Sequence, residues 1–369
     1  MNPGLYIHIP FCEQRCYYCA FVVSVSPEQT FEPYVRRLVH EIELSGFRDA
    51  VATIYFGGGT PSLLSTNLLA RILRALPVNA AREISIEVNP GTLSSEKVAQ
   101  YRELGIDRIS LGAQSLEDED LQRAGRLHKA SDVYADFELL RRNGFSNINL
   151  DLIAGLPNQE LKTWIRNLER VVKLQPEHIS IYMLDHEERS AWAKLPPGVP
   201  EENDFADFYA EAESRLGAAG YLHYEISNWA LPGRECSHNV GYWSGIPYRG
   251  FGVGAHSYDG VRRFWNAASL AEYADLLDAG RLPIAGEETL TPPIRLEEAF
   301  MLGLRQSRGV DAPAVASALG IDFAPEWHIR VEQLQDAGWI VFDGTILQLT
   351  AKGRLAANSV IEELIWPTP

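Results

Sequence analysis

The stretch Leu5-Tyr-Ile-His-Ile-Pro-Phe-Cys-Glu-Gln-Arg-Cys-Tyr-Tyr-Cys19 sets Cys12, Cys16 and Cys19 in a C-x3-C-x2-C run directly after a short apolar strand. Three thiolates this close in sequence can converge on one soft metal centre, and cysteine thiolates are the usual ligands of iron–sulfur clusters. Three protein ligands on a [4Fe–4S] cluster leave one iron open to something that is not protein. A closed zinc site would need a fourth ligand. His8 or Cys236 could supply it, although neither repeats a paired C-x2-C spacing. Three unliganded cysteines on a loop are the plainest alternative. The chain holds four cysteines in all, and three of them within eight positions argue for a metal centre. The cluster is the preferred reading.

Composition narrows the setting. The chain has 369 residues, 46% of them hydrophobic and 22% charged, which suits a globular protein of about two domains. A net charge of −16 argues against nucleic acid as a partner, since phosphate binding needs a basic surplus. Four cysteines, three of them clustered, do not make a secreted disulfide framework. Met1-Asn-Pro-Gly4 lacks the features of a signal peptide, and no apolar run approaches the ~18 residues of a transmembrane segment. A cytoplasmic protein is expected.

Outward from the cysteines, strands and helices alternate. Pro27 to Ser45 reads as a helix, with Phe31, Tyr34, Val35, Leu38, Val39 and Ile42 at helical spacing. Val51 to Phe56 reads as a buried strand that ends in Gly57-Gly-Gly-Thr-Pro-Ser62, where glycines let backbone approach a ligand closely. Further strands are expected at Glu83–Val88, Asp107–Leu111, Ile148–Ile153 and His178–Leu184, with helices between them. Such alternation implies βαβ units around a parallel sheet. Six units fall short of a closed eight-stranded barrel, so the expected fold class is α/β, a partial (β/α)6 barrel. Glu87, Gln114 and Asp151 fall at strand C-termini, where such a barrel carries its site. Arg126 and His128 follow between two helices.

A proline-rich break at Leu195–Pro200 precedes a helix from about Asn203 to Ala219. The next segment is dense in rings: His223, Trp229, His238, Tyr242, Trp243, Tyr248, Phe251 and His256. This set suits a flat apolar cofactor such as haem with an axial histidine. An aromatic mini-core with hydrogen-bonded histidines is the plainer reading of the residues alone. From about Thr291 three helices and a hairpin turning at Asp343-Gly344 suggest a small winged-helix-like domain. Its third helix carries Glu326, Glu332 and Asp336 against few basic residues, so an interaction or lid role is expected there. The expected domains are 1–195, the partial barrel; 196–290, a barrel extension with the haem motif; and 291–369, the winged-helix-like domain.

Together these motifs resemble the radical S-adenosylmethionine (SAM) superfamily, in its coproporphyrinogen-dehydrogenase-like branch. The resemblance rests on the cysteine run, Gly57-Gly-Gly-Thr-Pro-Ser62, Ile84-Ser-Ile-Glu-Val-Asn-Pro90, Arg108-Ile-Ser-Leu-Gly-Ala-Gln-Ser115 and Asn149-Leu-Asp-Leu-Ile-Ala-Gly-Leu-Pro157. It implies a radical-SAM barrel in which SAM chelates the open iron. Tyr6, Tyr18, Gly58, Gly59, Thr60, Glu87, Gln114, Arg126 and Asp151 would line the SAM site by matched position. An electron donor is implied if the cluster is reduced.

Within the branch, the oxygen-independent coproporphyrinogen III dehydrogenases carry a further cysteine two residues past the third, and a long N-terminal extension. Here Phe21 stands at that position and five residues precede Tyr6. The HemW-type haem chaperones instead have Cys-x-Phe and a His-Asn-x-x-Tyr-Trp motif. Cys19-Ala-Phe21 and His238-Asn-Val-Gly-Tyr-Trp243 match both. The resemblance therefore implies haem binding through His238, Asn239, Tyr242 and Trp243, delivery of haem to an acceptor protein, and no dehydrogenase activity.

Overall fold

The computed structural model describes residues 2–364 except 186, 187, 195, 197 and 324, so the expected proline-rich break falls partly outside the described residues. Six strands run parallel and hydrogen-bond in sequence order: Gly4–Ile9, Thr53–Gly58, Glu83–Val88, Arg108–Gln114, Ile148–Ala154 and His178–Met183. We call them strands one to six. Helices join each to the next, as the alternation predicts: Phe31–Ser45, Thr66–Ala75, Ser95–Glu103, the pair Asp118–Arg123 and Ala130–Arg142, and Leu161–Leu174.

The strands sort their side chains by the two-residue period of the pleat. Ile54, Phe56, Ile84, Ile86, Ile109, Leu111, Leu150, Leu152, Ile179 and Ile181 join one hydrophobic core with Val35, Leu38, Leu69, Val98, Val133 and Leu168 of the surrounding helices. The opposite face is polar along its whole length, with Glu83, Ser85 and Glu87 on strand three, Arg108 and Ser110 on strand four, and Asn149 and Asp151 on strand five. A polar lumen inside an apolar shell is the result.

The sheet extends further than periodicity suggests. Tyr248–Phe251 pairs parallel to strand one, and His256–Tyr258, Arg262–Asn266 and Ile284–Thr289 follow antiparallel. Asn228–Ala230 and Leu222–Glu225 extend the other side beyond strand six. One sheet of 12 strands results. The added strands escaped the sequence reading because they are short, three to six residues each. Phe251-Gly-Val-Gly-Ala-His-Ser257 is packed at its glycines. A side-chain carbon on Gly252, at φ +103°, would fall 2.6 Å from the His8 carbonyl oxygen and the Tyr34 hydroxyl.

Helices Pro292–Gly303, Ala312–Leu319 and Pro325–Asp336 and a three-stranded sheet, Val310–Asp311, Ile346–Leu349 and Ile340–Phe342, form the C-terminal part. Two further helices that periodicity missed, Ala351–Leu355 and Ala357–Leu364, close it. It has its own core around Phe300, Trp327, Leu334, Leu347 and Ile361. The Asp343 carboxylate accepts the backbone N–H groups of Thr345 (2.8 Å) and Ile346 (2.7 Å), which fixes the hairpin turn.

Candidate functional site: two adjoining cavities

Strand one ends at Ile9, before Pro10, and Phe11–Cys12 pairs with Ser24–Val25 to pin both ends of the cysteine loop. The glycine triplet then holds that loop against the barrel. A side-chain carbon on Gly59 would lie 2.6 Å from the Phe11 carbonyl oxygen, and one on Gly58, at φ +114°, would lie 2.5 Å from the His8 ring. Backbone bonds from Gly59 to Ile9 (2.8 Å) and Thr60 to Phe11 (2.7 Å) occupy the space so gained. These glycines serve the close approach of two protein segments as well as any ligand.

Cys12, Cys16 and Cys19, all free thiols, line a cavity of about 340 Å³ at the C-terminal ends of the strands. The Thr60 hydroxyl donates to Cys12 Sγ and the Arg126 guanidinium to Cys16 Sγ, each at 3.5 Å. Burial pushes the Cys12 thiol up to about 11 and raises Cys19 as well, so a metal would have to displace their protons. The fourth ligand that zinc requires is engaged elsewhere. Cys236 is buried with its Sγ 3.6 Å from Glu83, and His8 bonds Tyr6 through one ring nitrogen and the Val22 carbonyl through the other. Three sulfur donors beside a roomy polar cavity fit an iron–sulfur cluster with a further ligand better.

Of the residues assigned to SAM by resemblance, Tyr18, Gly58, Gly59, Thr60, Glu87, Gln114, Arg126 and Asp151 line this same cavity. Tyr6 does not; it faces the neighbouring cavity, one ring behind Tyr55. The Gly58 N–H and the Tyr55 hydroxyl donate to Glu87, each at 3.1 Å. Ser110 and Asn149 donate to Asp151 at 3.0 and 2.7 Å. Burial, and then the nearby Asp151 charge, push Glu87 up to about 7; burial also raises Asp151. Two desolvated carboxylates facing one cavity favour a cationic ligand. Arg126 is held by Asn89 and the Gly112 carbonyl, each at 2.9 Å. Gln114 sits at φ +64°, a strained position for a residue with a side chain, of the kind that concentrates at functional sites.

A larger cavity of about 720 Å³ adjoins the first, and Ala20 and Phe21 line both. Phe21 is 68% exposed. Aromatic rings of Tyr242, Tyr248 and Tyr258 form one side, and Leu302, Val315 and Leu319 of the C-terminal helices form another.

The His-Asn-x-x-Tyr-Trp motif lies on the short helix Ser237–Trp243. His238 is 3% exposed, with Nδ1 2.7 Å from the Thr53 hydroxyl and Nε2 3.0 Å from the Tyr242 hydroxyl. Burial, aided by the Arg108 charge, lowers it to about 3, so it is neutral. Tyr242 reaches the large cavity, whereas His238 lines a smaller one of about 250 Å³ beside Gly4 and Thr53. Asn239 is half-buried. The Trp243 carbonyl accepts from Gln306 at 2.9 Å, tying the motif to the C-terminal part.

Sequence reasoning missed Glu83, whose buried carboxylate accepts the N–H groups of Ser237 (3.0 Å) and His238 (3.2 Å) at the start of that helix. It also missed Glu41, fully buried, which accepts from Gly252 N–H (2.8 Å), Asn266 (2.6 Å) and Tyr273 (2.6 Å). The strand-three alternation of Glu83, Ser85 and Glu87 is a signal that could have found the first. Nothing local points to the second.

An open barrel of six parallel strands with three cysteines at its C-terminal rim is the arrangement of a radical-SAM protein. The family model described as Radical SAM superfamily matches residues 6–171, and that of the HemN C-terminal domain matches residues 290–356. A protein of Bacillus subtilis (strain 168) named Heme chaperone HemW is 36% identical, over 96% of this chain and 97% of its own. The Bos taurus protein named Radical S-adenosyl methionine domain-containing protein 1, mitochondrial, is 31% identical, over 98% and 87%. Among solved structures, coproporphyrinogen III oxidase (HemN) from Escherichia coli, described as a radical SAM enzyme, superposes with a TM-score of 0.86 at 26% identity, covering 99% of this chain and 90% of that one. The chain belongs to the HemW family of the radical SAM superfamily.

Proposed function

We propose that this protein is a haem chaperone: it carries a [4Fe–4S] cluster with SAM in the smaller cavity, holds haem, and passes haem to an acceptor protein. The adjoining pair of cavities carries the reading, because a cluster site alone would need only the first. The full-length relatives named as haem chaperones support it. The domain organisation we propose is 1–195, 196–290 and 291–369, in a reducing cytoplasm. No helix among the described residues is long and apolar enough to cross a membrane.

When bound, the cluster supplies a one-electron centre whose open iron SAM can chelate. Cys12, Cys16 and Cys19 would hold it. Thr60 and Arg126, each 3.5 Å from a cysteine sulfur, would place donors beside sulfurs that carry negative charge once ligated. Glu87 and Asp151 would face the cationic end of SAM. Tyr6 would support Tyr55 from behind rather than touch SAM.

The oxidase described for the solved relative is the second reading, favoured by fold similarity along nearly the whole chain. Anaerobic reconstitution separates the two. A haem chaperone should bind haem with a saturable Soret change and release it to an apo-haemoprotein, without decarboxylating coproporphyrinogen III. Catalytic formation of protoporphyrinogen, or failure to bind haem, would overturn the proposal.

A further inference from the structure

We propose that haem sits in the 720 Å³ cavity with His256 as its axial ligand, its propionates meeting Arg295 and Arg189, and that His238 acts by positioning Tyr242. This deepens the haem-chaperone reading and rests on it.

The cavity has the right size and chemistry. Its volume falls within the roughly 300–1,000 Å³ of enclosing ligand pockets. Rings of Phe21, Tyr242, Tyr248 and Tyr258 face a space that three arginines, Arg189, Arg263 and Arg295, also reach. A flat apolar dianion needs both kinds of surface. The C-terminal helices supply part of the wall, so opening that side would release a ligand without unfolding the barrel.

The histidines decide where the iron goes. His8 and His256 line this cavity. His8 has both ring nitrogens bonded. His256 is exposed and, among the described residues, neither of its nitrogens is hydrogen-bonded. Its ring lies 5.8 Å from that of Trp265 at an interplanar angle of 26°, which orients the imidazole and leaves its lone pair free. His238, by contrast, sits outside the cavity and would have to break a bond to a neighbour at either nitrogen.

The arginines differ in the same way. Arg263 is committed to Glu298 through two bonds, of 2.9 and 2.8 Å. The Arg295 guanidinium makes no hydrogen bond or ion pair among the described residues.

The test titrates ferric haem into the cluster-loaded full-length protein and its variants, reading the Soret band, electron paramagnetic resonance and resonance Raman spectra. His256→Ala should lose the imidazole-ligated signature and bind about tenfold more weakly or worse, at least the cost of losing a supporting partner of a metal ligand. Added imidazole should restore the signature. Arg295→Ala should weaken binding with the signature intact, and so should His238→Ala. An unchanged spectrum in His256→Ala, or loss of the signature in His238→Ala with His256 present, would overturn the site while leaving the carrier reading standing. A wild-type protein that binds no haem would overturn both.

Discussion

Nε2 of His238 lies 3.0 Å from the Tyr242 hydroxyl while Nδ1 lies 2.7 Å from the Thr53 hydroxyl, so the motif histidine is a buried bridge between strand two and the wall of the large cavity. Tyr242→Phe leaves one ring nitrogen unsatisfied in the interior. It should cost about 1–3 kcal/mol in denaturant unfolding and leave the haem-ligand spectrum unchanged. A switch to a new ligand field on freeing His238 would assign the iron to that residue instead.

Cys12→Ala, Cys16→Ala and Cys19→Ala should each abolish cluster absorbance and bring iron and sulfide down from about four per chain. The barrel should persist, because the sulfurs lie at its rim and the apolar shell does not use them. Far-UV circular dichroism with iron analysis checks both halves. A variant that keeps a full iron complement would remove that cysteine from the ligand set.

Glu87 gives a pH signature. Its folded-state pKa is raised from about 4.5 to about 7, chiefly by burial. A carboxylate raised in this way costs stability that grows as pH climbs through this window and is complete above it. Glu87→Gln should therefore stabilise the SAM-free protein more at pH 8 than at pH 5, by on the order of 3 kcal/mol at most. SAM, with its net positive charge, should bind wild type more tightly above pH 7 than below, and the variant with little pH dependence. Calorimetry at the two pH values decides this.

Glu41 anchors the segment that leads to His256. Replacing it with Leu strands the donors of Tyr273, Asn266 and Gly252. The loss should be about 3 kcal/mol or more in unfolding free energy, with weakened haem binding at residual fold. Glu41→Gln keeps an acceptor and should fall between wild type and Leu.

Legibility in the sequence follows from range. The six strands and their helices were readable because each is set by a local period, two for the strands and 3.6 for the helices, and by glycines at the turns. The cysteine loop was readable because its ligands are neighbours in sequence. Gly58, Glu87 and Asp151 followed from strand ends. What stayed hidden depends on distant partners: Glu41 meets Gly252 across more than two hundred residues, and Tyr248–Phe251 becomes a strand only because strand one offers it an edge. Tyr6 was assigned to the SAM site by motif; it shares the lumenal face with Tyr55, its partner in register, and lines the second cavity. The motif around His238 was recognised, but its geometry there is that of a hydrogen-bonded core.

Ala20 and Phe21, a two-residue step of backbone beyond Cys19, are common to both cavities. The loop that carries this partition is pinned at its two ends by the pairing of Phe11–Cys12 with Ser24–Val25, and the three cysteines lie between those ends or at them. Under the proposed occupancy, the inorganic centre and the tetrapyrrole therefore share one wall, and a change of either cargo is felt by the other through two residues of backbone.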